Sequence, residues 1–405
     1  MSDVFVSYRD SCRVCKSTNL KKWVHLPQMP MTDDLRKQVN KEVFLHDINI
    51  YVCLDCQVSQ TLHDIDYGSY YKEYSYTVTK SGFANQFMQQ LATNTIDKFN
   101  LKPGLKVVEV GSGDGSQLLE YKKLGANVFG FEPSELLTEI SRQRGVPVYT
   151  GLFDNDASKY IPKEFSSADV ILLTYTFDHI PNPVDFLLSV KDILNPDNGL
   201  LIIEVHDLDQ IIAKREYCLF EHEHSVYLSL KTMEQLLKRC GYKLITDNLV
   251  PLQSRRGNSL LIVAANENSK ITYESETQGV HQTLDDLNSF SNRLETGIKE
   301  LDLFIEQEIK ANKKIAGYGA GGRGVMTLAA LNNAKYLKYL CDQNHNFHGK
   351  FTPKTNIPVV PTTFLSEQPV DTLIVFSYGY MDEISKHVNA LPNPPKSIVS
   401  LLEVL

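Results

Sequence analysis

Cys12-Arg-Val-Cys15 and Cys53-Leu-Asp-Cys56 are two Cys-x-x-Cys pairs separated by 37 residues. Each pair can present two thiolates from one tight turn, and two such turns close the shell of a single tetrahedral ion. The spacing therefore predicts a small module in residues 1–75, folded around zinc held by Cys12, Cys15, Cys53 and Cys56. Four sulfur ligands leave no open position for water, so this zinc is expected to hold the fold together rather than to do chemistry. The remaining Cys218, Cys240 and Cys341 stand alone and are expected as small buried hydrophobes.

The rest of the chain is long enough for further domains. At 405 residues and 42% hydrophobic content it can bury cores in two or three of them without disulfide staples. Forty-one Lys and Arg against 49 Asp and Glu give a net charge of -8, which disfavours a nucleic-acid partner. The first ten residues lack a basic segment followed by an apolar run, and nowhere do roughly 18 apolar residues follow one another. No membrane partner is expected, and thiols in a chain of this kind suit the reducing cytoplasm.

A first strand–loop–helix unit begins at Leu105. The β-branched run Lys106-Val-Val-Glu-Val110 contains Glu109 and ends in Gly111-Ser112-Gly113-Asp114-Gly115, followed by a helical stretch over 116–124. Glycine lets backbone pass close to a ligand, and the free amides of a helix start lie beside it. The next strand, 127–131, ends at Glu132-Pro133, 21 residues after Gly111, where a carboxylate can accept from ribose hydroxyls. Runs at 168–174 and 200–205 add further strands, separated by Asp178-His179-Ile180-Pro181-Asn182-Pro183. Strands alternating with helices imply a parallel sheet. The glycine loop, Glu109, Glu132 and the turn carrying His179 resemble those of the class I S-adenosylmethionine-dependent methyltransferases. A dinucleotide site is the competing reading.

Glu221-His222-Glu223-His224 follows the last of these strands. If extended, it would point His222 and His224 one way and Glu223 the other. The segment suits general acid/base chemistry, a second metal site lacking an evident third ligand, or a solvated loop.

Beyond it, apolar residues at helical spacing from Leu284 to Ile309 form a long amphipathic connector and mark a domain boundary near 281. A second strand–loop–helix unit follows. Lys314 to Tyr318 reads as a strand, Gly319-Ala-Gly321-Gly-Arg323-Gly324 as a glycine loop, and Asp342 closes the next strand 23 residues after Gly319. Alone this half suggests NAD, yet the loop equally suits the diphosphate of another nucleotide, with Arg323 as charge partner.

Taken in order, CxxC…CxxC, EVGSGDG, FEP, HIPNP, HEHSVYLS, RRGNSL, GYGAGGRG and CDQN…IPVV resemble the sugar C-methyltransferases that branch deoxysugars. The resemblance spans essentially the whole chain. It implies an α/β protein with a zinc module (1–75), a central class I methyltransferase domain (76–280) and a second Rossmann-like domain (281–405) for a nucleotide-diphosphate keto-deoxysugar. It implies a methyl transfer from S-adenosylmethionine to carbon 3 of a 4-keto-6-deoxysugar. It further implies His224 as general base oriented by Glu223, Tyr76 and His179 as further catalytic groups, and His222, Gly319, Gly321, Arg323 and Asp342 on the substrate side. Two positions depart from the family pattern: Glu221 stands where a tyrosine is common, and the second loop carries Gly321, Gly322 and Arg323 instead of an alanine-rich stretch with a lysine.

Overall fold

The computed structural model describes residues 4–32, 34–39, 42–66, 82–154, 156–256, 259–272 and 282–403. Near the N-terminus the alternating sequences of Leu20–Met29 and His46–Cys53 bury Val24, Leu26, Ile48 and Ile50 on one face, as period-two patterning requires. These strands join Ser59–Thr61 and Val226–Tyr227 in a four-stranded antiparallel sheet, so a segment following the histidine-rich turn completes the sheet of the zinc module. A short antiparallel pair, Val6–Tyr8 with His63–Ile65, lies alongside.

Seven strands form the central sheet, in the order Tyr242–Thr246, Ser259–Asn266, Leu200–His206, Val170–Thr174, Lys106–Val110, Asn127–Glu132 and Val148–Thr150. The sheet is not wholly parallel: Ser259–Asn266 runs against both its neighbours. Both faces are covered, and the apolar runs of Val170–Thr174 and Leu200–His206 are correspondingly almost fully buried. Chain order reverses between Lys106–Val110 and Val170–Thr174, and a crevice opens at the carboxyl ends of strands at such a switch point. The glycine loop and the turn carrying His179 both leave from there.

Five parallel strands build the C-terminal sheet, ordered Val359–Pro361, Leu340–Asp342, Ile315–Tyr318, Thr372–Val375 and Ser397–Ser400. Its switch point lies where Gly319–Gly324 emerges. The helix Leu284–Lys310 starts at a capping box between Thr283 and Asp286 and connects the layers. Leu287, Phe290 and Leu294 pack with Trp23, Ile50 and Phe220, whereas Leu301 and Ile305 pack under the C-terminal sheet. Among the described residues no helix is long and apolar enough to cross a membrane.

Candidate active site

The central glycine loop is held open by backbone geometry. Gly111, Gly113 and Gly115 have φ of 72°, 53° and 78°, a region that side chains rarely adopt. A Cβ on Gly111 would lie 2.3 Å from Thr176 Oγ1, whereas one on Gly113 would meet nothing within 4 Å, so the loop's middle faces free space. Glu132, 5% exposed, accepts from the backbone N–H of Gly113 at 2.9 Å and of Ser134 at 2.8 Å. Each oxygen of the carboxylate keeps a second lone pair for a ligand. Ser134, after Pro133, caps the helix Glu135–Gln143. Glu109 is buried at the carboxyl end of its strand. One of its oxygens accepts from Thr174 Oγ1 at 3.1 Å, and the other has no partner among the described residues. Burial raises its pKa to about 8, so a cation or donor would be welcome beside it. Ser112 Oγ is likewise buried and unpartnered among the described residues. An open, amide-rich loop, two acids and an orphaned buried oxygen fit the amino-acid and ribose portions of S-adenosylmethionine.

The histidine-rich segment is a tight turn rather than extended chain, and its two imidazoles part company. Val226–Tyr227 is spliced onto Ser59–Thr61, and Ser225 N–H donates to the Asp178 carbonyl at 2.7 Å. The turn is thereby tied to both the zinc module and the central domain. His224, 3% exposed, donates from Nδ1 to the Leu219 carbonyl at 3.0 Å. A carbonyl only accepts, so the proton is fixed on Nδ1 and Nε2 carries the lone pair. That nitrogen looks onto carboxylates, Asp178 Oδ2 at 4.0 Å and Glu221 Oε2 at 3.9 Å. His179 packs edge-on against His224 with ring centroids 4.9 Å apart, and its Nε2 lies 3.8 Å from Asp178 Oδ1.

Burial lowers the pKa of His224, and the Asp178 charge works against that shift. Burial likewise takes His179 down to about 4. Asp178 is itself buried, which pushes its carboxyl up, but His224, His206 and His179 outweigh this and hold it well below the usual carboxylate range. Glu223, 3% exposed, acts on His224 through its charge, while the tautomer-setting bond goes to Leu219. Tyr76 lies outside the described residues.

Three residues of this centre, His206, Tyr175 and Glu204, lie outside the motifs read from the sequence, and a fourth, Arg256, falls in RRGNSL with no role assigned to it there. His206, at the end of Leu200–His206, bonds Asp178 Oδ2 through Nδ1 at 2.9 Å and stacks obliquely on His224 at 4.9 Å. Tyr175 sits at φ 53°, a rare conformation for a bulky residue, with its hydroxyl donating to the Arg256 carbonyl at 2.6 Å. Arg256 pairs with buried Glu204 and covers Phe87 and Tyr175, 4.9 and 5.0 Å from their centroids. Polar residues at the ends of the strands Val170–Thr174 and Leu200–His206 were the available signal, since ligands in open α/β sheets bind there.

His222 faces elsewhere. It is 1% exposed, with Nδ1 3.1 Å from His63 Nε2 and Nε2 donating to the Met29 carbonyl at 3.0 Å. The ring therefore points into the zinc-module strands.

The C-terminal loop closes on the same turn. Gly319 has φ 103°, and a Cβ there would meet Ser377 Oγ at 2.3 Å. A Cβ on Gly322 would lie 2.6 Å from Thr32 Cγ2 and 3.3 Å from Glu221 Oε1, so this loop touches the zinc module and the histidine turn together. Gly321 would meet nothing within 4 Å. Asp342 accepts from Ala320 N–H at 2.8 Å and Asn344 N–H at 2.7 Å. Arg323 already has a carboxylate at hand, Glu216 at 3.5 Å, and lies over the Tyr378 ring at 5.3 Å.

In the zinc module the four sulfurs converge. Cys12 and Cys56 lie 3.5 Å apart, Cys15 and Cys53 3.4 Å, and all four are within 4.8 Å of one another. Backbone amides of Val14 and Cys15 and the Gln60 side chain point at Cys12 Sγ, as they would toward a thiolate. Zn–S bonds of about 2.3 Å put tetrahedral ligands roughly 3.8 Å apart, so the cluster fits a zinc ion with little movement. Cys218, Cys240 and Cys341 are buried free thiols in the apolar cores.

Fold and site define a methyltransferase with a structural zinc module. Three family models match in succession: a zinc binding domain over residues 12–71, a methyltransferase domain over 83–247 and a C-methyltransferase C-terminal domain over 257–399. The chain belongs to the S-adenosylmethionine-dependent C-methyltransferases that carry an N-terminal zinc module, and its cofactors are S-adenosylmethionine and zinc. It is similar to C-methyltransferase NovU of Streptomyces niveus, at 24% identity over 390 residues, covering 93% of this chain and 91% of that one. A shorter match, 25% identical over 97 residues, covers 23% of this chain and 38% of the ubiquinone biosynthesis O-methyltransferase of Roseobacter denitrificans. Among solved structures, the plantazolicin methyltransferase BpumL in complex with SAH aligns over 45% of this chain and 84% of that one, at 18% identity and a TM-score of 0.37.

Proposed function

We propose that the chain methylates carbon 3 of a nucleotide-linked 4-keto-6-deoxysugar by way of an enolate. The observation that carries this reading is His224, whose Nδ1 proton is committed to the Leu219 carbonyl so that Nε2 is a base. Methylation at carbon, unlike methylation at oxygen, needs a base that removes a proton beside a carbonyl.

S-adenosylmethionine, when bound at Gly111, Gly113, Glu132 and Glu109, supplies an electrophilic methyl group. His224 Nε2 takes the proton from carbon 3, and the electron pair of that C–H bond moves toward the ketone oxygen. Asp178 and Glu221 stabilise the imidazolium that results, since both carboxylates face Nε2. His179, or Tyr76, donates to the developing oxyanion. Carbon 3 then forms its bond to the methyl carbon as the methyl–sulfur bond breaks, the electron pair of that bond staying on sulfur so that S-adenosylhomocysteine is the leaving group. The burial of His224 and Asp178 strengthens these charge interactions.

On the substrate side, the open space at Gly321 and the nearby Arg323 suit a diphosphate, held over the histidine turn that Gly322 touches. NovU, which this chain resembles over nearly its full length, is a C-methyltransferase by name. A division at 1–75, 76–280 and 281–405 and a cytoplasmic setting that keeps the zinc thiolates reduced belong to the same reading.

Purified protein incubated with S-adenosylmethionine and a panel of nucleotide-linked 4-keto-6-deoxysugars tests it. The expected product gains one methyl by mass and a carbon–carbon branch by carbon NMR. A methyl ether would sink the proposal.

A further inference from the structure

We propose that His46, His63 and His222 form a second metal site, separate from the four cysteines, that takes a divalent transition-metal ion such as zinc. The three rings come from distant parts of the chain: the start of the strand His46–Cys53, the start of His63–Ile65, and the turn before Val226–Tyr227. Their ligand nitrogens nevertheless converge within 4.8 Å of one another.

Outer hydrogen bonds orient the rings as they do around bound metals. His222 Nε2 donates to the Met29 carbonyl at 3.0 Å, and His46 Nδ1 to the Asp47 carbonyl at 2.9 Å. Because carbonyls only accept, the opposite nitrogens, His222 Nδ1 and His46 Nε2, present lone pairs. Metal-ligating histidines commonly donate their other N–H to a carbonyl in this way, which fixes the tautomer and strengthens the ligand. His222 Nδ1 and His63 Nε2 are 3.1 Å apart, close to the separation of about 3.3 Å that two nitrogens keep on one tetrahedral zinc. Metal-free, that contact is bridged by one proton, and an ion would take the proton's place. In the metal-free protein the Tyr8 hydroxyl lies 2.6 Å from His46 Nε2.

The surroundings suit a closed site. His63 and His222 are 4% and 1% exposed, and the Phe44 ring lies over His222 and His46 at 5.3 and 6.1 Å. Arg13, whose charge acts on His63, is paired with Asp64 at 2.7 Å. Imidazole nitrogens favour zinc, copper, iron and nickel over the hard cations. Such an ion would pin the turn carrying His224 to the zinc-module strands. None of this depends on which substrate is methylated.

Full-length protein, purified without chelator and dialysed against zinc, tests the site by elemental analysis and by the thermal midpoint. The expected result is one zinc beyond the four-cysteine ion, together with a higher midpoint when the extra equivalent is added. His63→Ala should lose that ion alone, weakening its binding at least about tenfold, the effect that even outer partners of a ligand carry. His46→Ala, at a less buried ring, serves where His63→Ala fails to fold, with retained S-adenosylmethionine binding as evidence of folding. With cobalt as probe, the extra ion should lack the thiolate-to-cobalt charge-transfer absorption shown by the cysteine site. Zinc content that excess metal never raises above the cysteine ion, or an extra ion that survives in both histidine variants, would overturn the proposal.

Discussion

The chain builds the same strand–glycine loop–helix unit twice, and the two copies are finished differently. In the central copy three glycines take positive φ and the loop's middle faces free space, with Glu132 and Glu109 beside it. In the C-terminal copy Gly319 takes positive φ, Gly324 packs so tightly that a Cβ would lie 2.0 Å from the Gly319 carbonyl, and the projecting charge is basic. Its acid, Asp342, is engaged by the backbone of Ala320 and Asn344. Acid beside the central loop suits a cationic, hydroxyl-bearing ligand, and arginine beside the C-terminal loop suits an anionic one. The histidine turn lies between them, approached by Gly322 of the C-terminal copy and tied through Ser225 to Asp178 of the central domain.

The largest effect should fall on that turn. His224→Ala removes the proposed base, and a base contributes about 10²–10⁴-fold in rate. Both methyl transfer and wash-in of deuterium beside the ketone should fall by that factor. A loss of under roughly tenfold is too small for the role and would move the base elsewhere.

Matched changes in the two loops should separate their ligands. Gly113→Val forces a β-branched residue to φ 53° and fills the free space, so S-adenosylmethionine affinity should drop at least about tenfold. Gly321→Val, at φ -76° and also facing open space, can adopt its backbone without strain. It should leave S-adenosylmethionine binding within about twofold and weaken the sugar nucleotide by more. Calorimetry with each ligand measures both. Equal losses of both ligands in either variant would break the division between the loops.

Arg323→Ala is a finer test on the C-terminal side. A direct charge-assisted contact to a diphosphate is worth about 1.5–3 kcal/mol, and that much binding should be lost with S-adenosylmethionine affinity unchanged. Arg323 also pairs with Glu216, which is 2% exposed, so the change lowers stability as well. Glu216→Gln distinguishes the two roles. If Arg323 serves only that carboxylate, the double variant should bind the sugar nucleotide as tightly as wild type.

Local features were legible in the sequence. The cysteine pairs, both glycine loops and Glu132 announce themselves through short spacing, and chain order is enough to read them. What escaped is what the sheets assemble. His206 meets His224 because Leu200–His206 lies beside Val170–Thr174, and Asp178 follows that neighbour. His63 meets His222 only because Val226–Tyr227 crosses to Ser59–Thr61. A turn of Glu-His-Glu-His can be read as alternating strand, but the bond from His224 to Leu219, five residues earlier, requires the chain to fold back. Spacing places Glu132 where it can accept from ribose hydroxyls, and it does not show that the same carboxylate braces the loop through Gly113.

The smallest expected effect concerns pH and bears on how Asp178 supports the turn. His224 must be neutral to accept a proton, and burial lowers its pKa below the ordinary imidazole value of about 6.5. Activity should therefore be full at neutral pH and decline as pH falls through that lowered value. Asp178 opposes the burial effect by favouring the imidazolium, while His206 favours the neutral ring and Glu223 and Glu221 face the same imidazole with negative charge. Asp178→Asn keeps the shape and removes a charge that raises the His224 pKa. The acid limb of the kcat profile should then move to lower pH, by about one unit if the charge contributes near 1.4 kcal/mol. Glu132→Gln, a change at the cofactor loop, should alter S-adenosylmethionine binding without moving that limb. An acid limb that stays in place or moves upward in Asp178→Asn would mean that the titrating group is not His224, and that the carboxylate serves His206 alone.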